Sequence, residues 1–322
     1  MVTNEPQPMI WRYRLKARGL LNALTRRREF EGVLIRMDGG YGCIHPWPEL
    51  GDPTLEKCLA DLAGARRWPI VRRAVRCAEY DRVARVFQHS LFEEMEIPGS
   101  HATLVKAEAA EVARAVEAGF AVVKLKAGRD PAAETHFLNA MAAEYPAVKW
   151  RLDFNEMLEA AEAAEFLLGL AETTRTAIDF AEDPCPYAES AWNELHRQTR
   201  VMLAVDREAA PLSAAAQVMV IKPAIDEPFL LAEAAVRNQQ QVVMTSYMDH
   251  PVGQTFAAWE AARLGLQFPG LVGLCGLQTH PLFEPDAFNE MLGPWSPAFQ
   301  APEGHGLGFD DLLEALPWTR SF

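Results

Sequence analysis

The chain has 322 residues, 49% hydrophobic and 23% charged, and a net charge of −13. That length suits two domains, or one large α/β barrel with an addition, and leaves ample apolar material for a core. The acidic balance gives no basic footprint for nucleic acid. The apolar runs fall far short of the roughly 20 residues of a membrane span. Five scattered cysteines without a CxxC spacing favour reduced thiols over a disulfide or zinc framework.

Along the chain, "MVTNEPQPMIWRYRL" lacks a basic stretch followed by an apolar segment of the secretory kind, so a cytoplasmic location is expected. "MIWRYRLKA" and "FEGVLIRMDGGYGCIHPW" read as strands, the second interrupted by the turn signal Gly39-Gly40. Residues 54–87 then carry apolar side chains at helical spacing, such as Leu55, Leu59 and Leu62, broken at Pro69. Strands first and helices afterwards make an α+β unit over residues 1–96.

From Ile97 short apolar runs alternate with helical segments. The strand candidates are "HATLV", "AVVKLK", "VKWRLDF", "AIDFAE", "VMLAVD", "QVMVIK", "QVVMTS" and "LVGLCG". Eight such runs with helices between them predict a (β/α) barrel of the TIM type over residues 97–280. A doubly wound sheet is the rival, and no G-x-G-x-x-G follows an early strand to favour it. Residues 281–322, rich in Pro and Gly with no further βα unit, are expected to pack back on the first unit.

In "AVVKLKAG" two lysines interrupt a buried strand, and residues two apart share a face. Barrels of this type carry their active sites at the C-terminal strand ends. Lys126, Asp153, Glu182, Asp206 and Lys222 stand at five successive ends, separated by 27, 29, 24 and 16 residues, and Lys124 precedes Lys126. Three carboxylates converging on one rim repel one another unless a cation lies between them. All-oxygen ligands suit a hard ion, so Mg²⁺ is expected, with Mn²⁺ as a substitute. The lysines would then face a small anionic carboxylate substrate. A Lys beside a divalent ion and another ammonium is pushed toward neutrality, as a base requires. A single strand-end Asp is more often a turn former or helix cap, and a lone Lys more often reaches solvent. The set is specific, its members singly are not.

With "KLK", "LDFN", "EDP", the Asp of "VDRE" and "IKP" in place, the sequence resembles the enolase superfamily and its muconate-lactonizing subgroup. "GYGCIHPWPE", "RLDFN", "AEDPCP", "VIKPA" and "GLQTH" make it most similar to the o-succinylbenzoate synthase family. That superfamily is itself a known instance of a Lys or His base working with Mg²⁺, so this chemistry belongs to the family and is not deduced from spacing. The resemblance implies an enolase-like modified barrel under a capping domain. It implies Asp153, Glu182 and Asp206 as metal ligands, Lys126 as the base that takes the α-proton, and Lys124 as its neighbour. Lys222 would stabilise the enediolate from the opposite face or act as a second acid/base. Asn155 and Ser246 match pocket positions. The implied reaction is Mg²⁺-dependent dehydration of a succinyl-hydroxycyclohexadiene carboxylate in menaquinone biosynthesis.

Three departures bear on specificity: Cys43 stands where the cap motif often has Glu, Arg207 precedes Glu208, and Gln278 stands where an Asp is common. His45 and His250 are within reach of a substrate only if the loops place them there, and packing is the expected role for them and for Cys185. Trp47 and Pro48 fall in a loop that closes over the substrate in such caps. The rival functions are an N-acylamino acid racemase or dipeptide epimerase on the same scaffold, and a non-catalytic metal-binding relative. The second would be expected to have lost a Lys or a ligand, and none is missing.

Overall fold

A computed structural model of the chain describes residues 8–19, 21, 26–104, 106–206 and 213–320. Arg207 and Glu208 lie outside them. The chain opens with β1 (Met9–Lys16), β2 (Glu29–Met37) and β3 (Gly40–Ile44), an antiparallel meander in which Ile10 faces Ile35 and Val33 faces Ile44. The β2–β3 turn falls at Asp38 and Gly39, both at positive φ, one residue before the expected pair. Helices α1 (Leu55–Ala63) and α2 (Pro69–Val86) follow. Pro69 starts α2, where its missing N–H costs nothing. β3 lies so close to α2 that a Cβ on Gly40 or Gly42 would meet the Ala78 or Ala74 carbonyl oxygen at 2.0 or 2.1 Å.

The second part alternates β4 (Ala102–Leu104), α3 (Ala109–Glu117), β5 (Val122–Lys126), α4 (Pro131–Glu144), β6 (Lys149–Asp153), α5 (Ala160–Gly169), α6 (Glu172–Ala177), β7 (Ile178–Glu182), α7 (Glu189–Thr199), β8 (Leu203–Val205), β9 (Val218–Ile221), α8 (Pro228–Arg237), β10 (Gln241–Met244) and α9 (Pro251–Gln267). β4 to β10 form one parallel sheet in chain order, curled as a barrel. The eighth expected strand, 271–276, is not a strand. It closes the ring by single bridges, Val272 to Val242 and Gly276 to Thr245 on one side and Cys275 to Ser100 on the other. Two glycines in six residues, and a first strand only three residues long, leave too few consecutive rungs for a ladder.

Strand alternation sorts the side chains. Val123, Leu125 and Leu152 point outward into a core shared with the helices. Phe180, Ala204, Val220 and Val243, each two residues before a rim position, fill the barrel interior. α9 is buried almost all round. It lies between barrel and cap, where the Arg73 guanidinium on α2 bonds Glu260 at 2.9 Å and the Gly253 carbonyl at 3.1 Å. One apolar cluster accordingly runs from β1–β3 and α2 through α9 to Met219, Ile221, Val242 and Met244 of the barrel. Past the barrel come α10 (Ala287–Met291), α11 (Asp310–Ala315) and β11 (Thr319–Arg320), the last pairing antiparallel with β1 at Met9 and Ile10. Among the described residues no helix is long and apolar enough to cross a membrane.

Candidate active site

The parallel register sets Lys126 beside Asp153 and Asp153 beside Glu182, with Lys124 one inward position below. Asp206 follows β8 and Lys222 follows β9. All six line one cavity of about 520 Å³ at the C-terminal strand ends, together with Asn155 and Ser246. Every sequence-predicted site residue is therefore at this one place. Asn155 occupies the left-handed region at φ +51, which its short polar side chain tolerates, and it donates to Asp153 Oδ1. The Ser246 hydroxyl meets that of Thr279 at 2.7 Å.

Lys124 Nζ lies 2.7 Å from both Glu182 oxygens and 3.1 Å from Asp153 Oδ2. Lys126 Nζ is 3.4 Å from the same Asp153 oxygen, and Lys222 bonds Asp206. Against the desolvation that burial imposes, Lys124, Lys126 and Lys222 hold the Asp153 carboxyl well below its ordinary range. Burial raises Glu182, and its carboxylate neighbours add to that against the pull of Lys124. Burial opposes the charges of Lys124 and Lys222, but the surrounding carboxylates prevail and raise both lysines.

These contacts test the donor set for a metal. Ammonium groups lie where a cation would be welcome: one bridges Asp153 and Glu182, another sits on Asp206. Six carboxylate oxygens from three adjacent strand ends make a hard donor set that fits Mg²⁺ or Mn²⁺. Among the described residues no three acidic, His or Cys side chains converge tightly enough to hold an ion as they stand. Binding one requires Lys124 and Lys222 to swing off the carboxylates, as their long flexible stems permit.

Several lining residues were not legible in the sequence. Asp226 accepts from the Lys222 backbone N–H at 2.6 Å, and burial pushes its carboxyl up to about 7. Glu49, Leu50 and Gly51 of the cap, His101, Thr103, Tyr247 and Thr279 also reach the cavity. His101 Nδ1 sits 2.8 Å from Arg151 Nη1. A guanidinium only donates, so Nδ1 is the acceptor and the ring proton is on Nε2. The one available signal was local: Asp226 lies a single turn after Lys222. With Glu49 and Asp226 counted, the cavity holds five carboxylates against three ammonium groups, so its side chains alone carry no excess of positive charge for an anionic substrate.

His45, His250 and Cys43 stand away from the cavity in a buried cluster around Tyr13, whose hydroxyl lies 3.0 Å from His45 Nδ1 and 3.2 Å from Cys43 Sγ. Burial lowers both imidazoles to about 3 and raises the Cys43 thiol to about 12. All five cysteines are buried and unpaired. Cys185 packs near Trp192, whose indole N–H donates to its carbonyl.

Two family models match the chain: "O-succinylbenzoate synthase, N-terminal domain" over residues 8–84 and "Enolase C-terminal domain-like" over residues 107–223. A curated o-succinylbenzoate synthase from Bdellovibrio bacteriovorus is 33% identical over 95% of this chain and 96% of its own length. Among solved structures, a dipeptide epimerase from Enterococcus faecalis complexed with Mg and the dipeptide L-Leu-L-Tyr superposes with a TM-score of 0.78 at 17% identity, covering 94% of this chain and 98% of that one. An N-succinyl Arg/Lys racemase from Bacillus cereus gives 0.77 at 16%, covering 96% of each. At those identities the two structures speak to the fold.

Proposed function

The chain belongs to the o-succinylbenzoate synthase family of the enolase superfamily, and from that membership we propose that it is a carbon–oxygen lyase dehydrating 2-succinyl-6-hydroxy-2,4-cyclohexadiene-1-carboxylate, a step of menaquinone biosynthesis. The observation that carries the reading is the gathering of Lys124, Lys126 and Lys222 around Asp153, Glu182 and Asp206 in one cavity. In this reading residues 1–96 are the cap, 97–280 the barrel and 281–322 the return segment.

Asp153, Glu182 and Asp206 would hold Mg²⁺ or Mn²⁺. When bound, the ion would supply positive charge for the enediolate that the substrate carboxylate becomes once its α-proton is removed. Lys126 Nζ, in its neutral form, takes the proton from the carbon bearing the carboxylate. Lys124, on the same strand face, would set an ammonium beside it, toward the substrate carboxylate. Lys222, just past β9, donates to the developing oxyanion. The proton on Lys126 then returns to the departing β-hydroxyl on the same face, and the C–O electrons leave with it as water. The ring gains aromaticity, so the second step needs little beyond positioning. Asn155 and Ser246 would orient the substrate.

Racemisation of an N-acylamino acid remains the second reading, since lysines from two different parts of the rim, on β5 and just past β9, suit proton removal and return at one carbon. Purified protein with Mg²⁺ is expected to dehydrate the cyclohexadiene rapidly and to racemise N-succinylamino acids slowly or not at all. Fast racemisation with negligible dehydration, or full dehydration in excess chelator, refutes the proposal.

A further inference from the structure

We propose that Tyr247 and Asp52 are positioning residues that pin the cap turn 47–52 over the cavity and thereby set how tightly substrate is held; its kinetic side rests on the dehydration reading above. Tyr247 follows Ser246 just beyond β10 and lines the cavity. Its hydroxyl donates to Asp52 Oδ2 at 3.0 Å, and the same oxygen accepts the Trp47 backbone N–H at 2.8 Å. In return the Trp47 indole Nε1 donates to the Tyr247 carbonyl at 2.9 Å. Barrel and cap are thus cross-linked by two hydrogen bonds between residues far apart in sequence, and the third, within the cap turn, ties Asp52 back to Trp47. Trp47 is fully buried against Phe30, at 4.4 Å between rings, so the anchor itself is rigid.

Between the two anchored ends the backbone folds into a tight turn. Leu50 N–H and Asp52 N–H both return to the Trp47 carbonyl, at 2.8 and 3.3 Å, and Gly51 takes φ +104. The turn therefore has little freedom of its own, and it presents Glu49, Leu50 and Gly51 to the cavity. Arg27 holds Glu49 by contacts of 2.9 and 2.7 Å, which offsets a carboxylate that would otherwise repel an anionic substrate. None of these three hydrogen bonds involves the lysines or carboxylates of the proposed chemistry. Its contribution falls equally on bound substrate and transition state, and such an interaction shows in KM and not in kcat.

The test combines amide hydrogen exchange over residues 46–53 of the metal-free protein with steady-state dehydration kinetics. Tyr247→Phe removes one hydroxyl and no volume to speak of. It is expected to speed exchange in the turn about tenfold and raise KM about tenfold, with kcat within about twofold. Asp52→Ala should do the same, and Asp52→Asn, whose amide oxygen still accepts both bonds, should recover most of the lost affinity. Unchanged exchange in Tyr247→Phe overturns the proposal whatever the enzyme's activity, and so does a fall in kcat at constant KM. If the wild-type protein fails to dehydrate the cyclohexadiene, the functional reading falls while the exchange measurement still decides the cross-link.

Discussion

Lys124 and Lys126 share one face of β5, yet Lys124 is wrapped by Glu182 and Asp153 whereas Lys126 reaches only Asp153, at 3.4 Å. Its carboxylates hold Lys124 as an ammonium, whereas Lys126 makes the single, longer contact, the arrangement that suits it to the base's place in the proposed reaction. Lys126→Ala is expected to lose about 10²–10⁴-fold in kcat. Lys126→Arg should not restore it, because guanidinium does not deprotonate in the working range. Solvent exchange of the substrate α-proton should vanish with it, which separates a lost base from a slowed later step. A different buried acid governs stability. Burial, partly offset by Arg73, raises the Asp249 carboxyl to about 6. The folded state therefore holds this proton more tightly than the unfolded chain, whose carboxyl titrates near 4. Stability from this group is full below about pH 4 and is lost as pH rises through about 6, a swing of order 3 kcal/mol at most. Asp249→Asn should flatten that part of the stability–pH curve and stabilise the protein near neutrality, as urea denaturation at pH 4 and pH 7.5 would record.

The rim strands were readable because each ends in a charge that an apolar run cannot otherwise explain. "KLK" on β5 and the carboxylates ending β6 and β7 announced both the barrel and its working face. The segment 271–276 misled, since Leu271, Val272 and Leu274 look like a strand while Gly273 and Gly276 forbid a continuous ladder. Gly276 is there for space: a Cβ would come within 2.8 Å of the His101 ring and 2.9 Å of the Thr245 methyl. Gly276→Ala should destabilise by about 1–3 kcal/mol, read from the denaturation midpoint, with the remaining fold intact. His101, Thr279, Tyr247 and Asp226 were illegible for another reason. The first three join the site through partners on elements distant in the chain, whereas Asp226 leans on the nearby Lys222 backbone, and periodicity records which face a side chain takes but not what it meets there. The all-round burial of α9 was equally hidden, because Gln254, Thr255 and Glu260 are polar and point in different directions around the helix, yet all are held between two layers.

At the scale of the molecule, cap and barrel are bound by a common apolar cluster and by the buried Arg73–Glu260 pair, so the two parts should unfold in one transition. The proposed ligands come from three separate strands, and an ion that binds only the folded barrel stabilises the whole. Mg²⁺ at about 100 times its dissociation constant should add about 2.7 kcal/mol. Calorimetry should show a higher Tm with Mg²⁺, and Asp153→Asn should abolish most of the rise. The ring itself has a seam. Its first and last segments meet through the His101 N–H to Cys275 carbonyl bond, the Cys275 N–H to Gly99 carbonyl bond and the Ser100 hydroxyl, and the last segment joins β10 by isolated bridges as well, where β4 to β10 are paired as strands. Arg151 reaches across that seam from inside, giving Nη1 at 2.8 Å to both His101 on one lip and the Leu274 carbonyl on the other, while Asp179 steadies its Nε. The guanidinium is a clasp. Because His101 and Gly276, one from each side of this junction, both line the cavity, any parting of the barrel at the clasp would be felt directly in the site's volume.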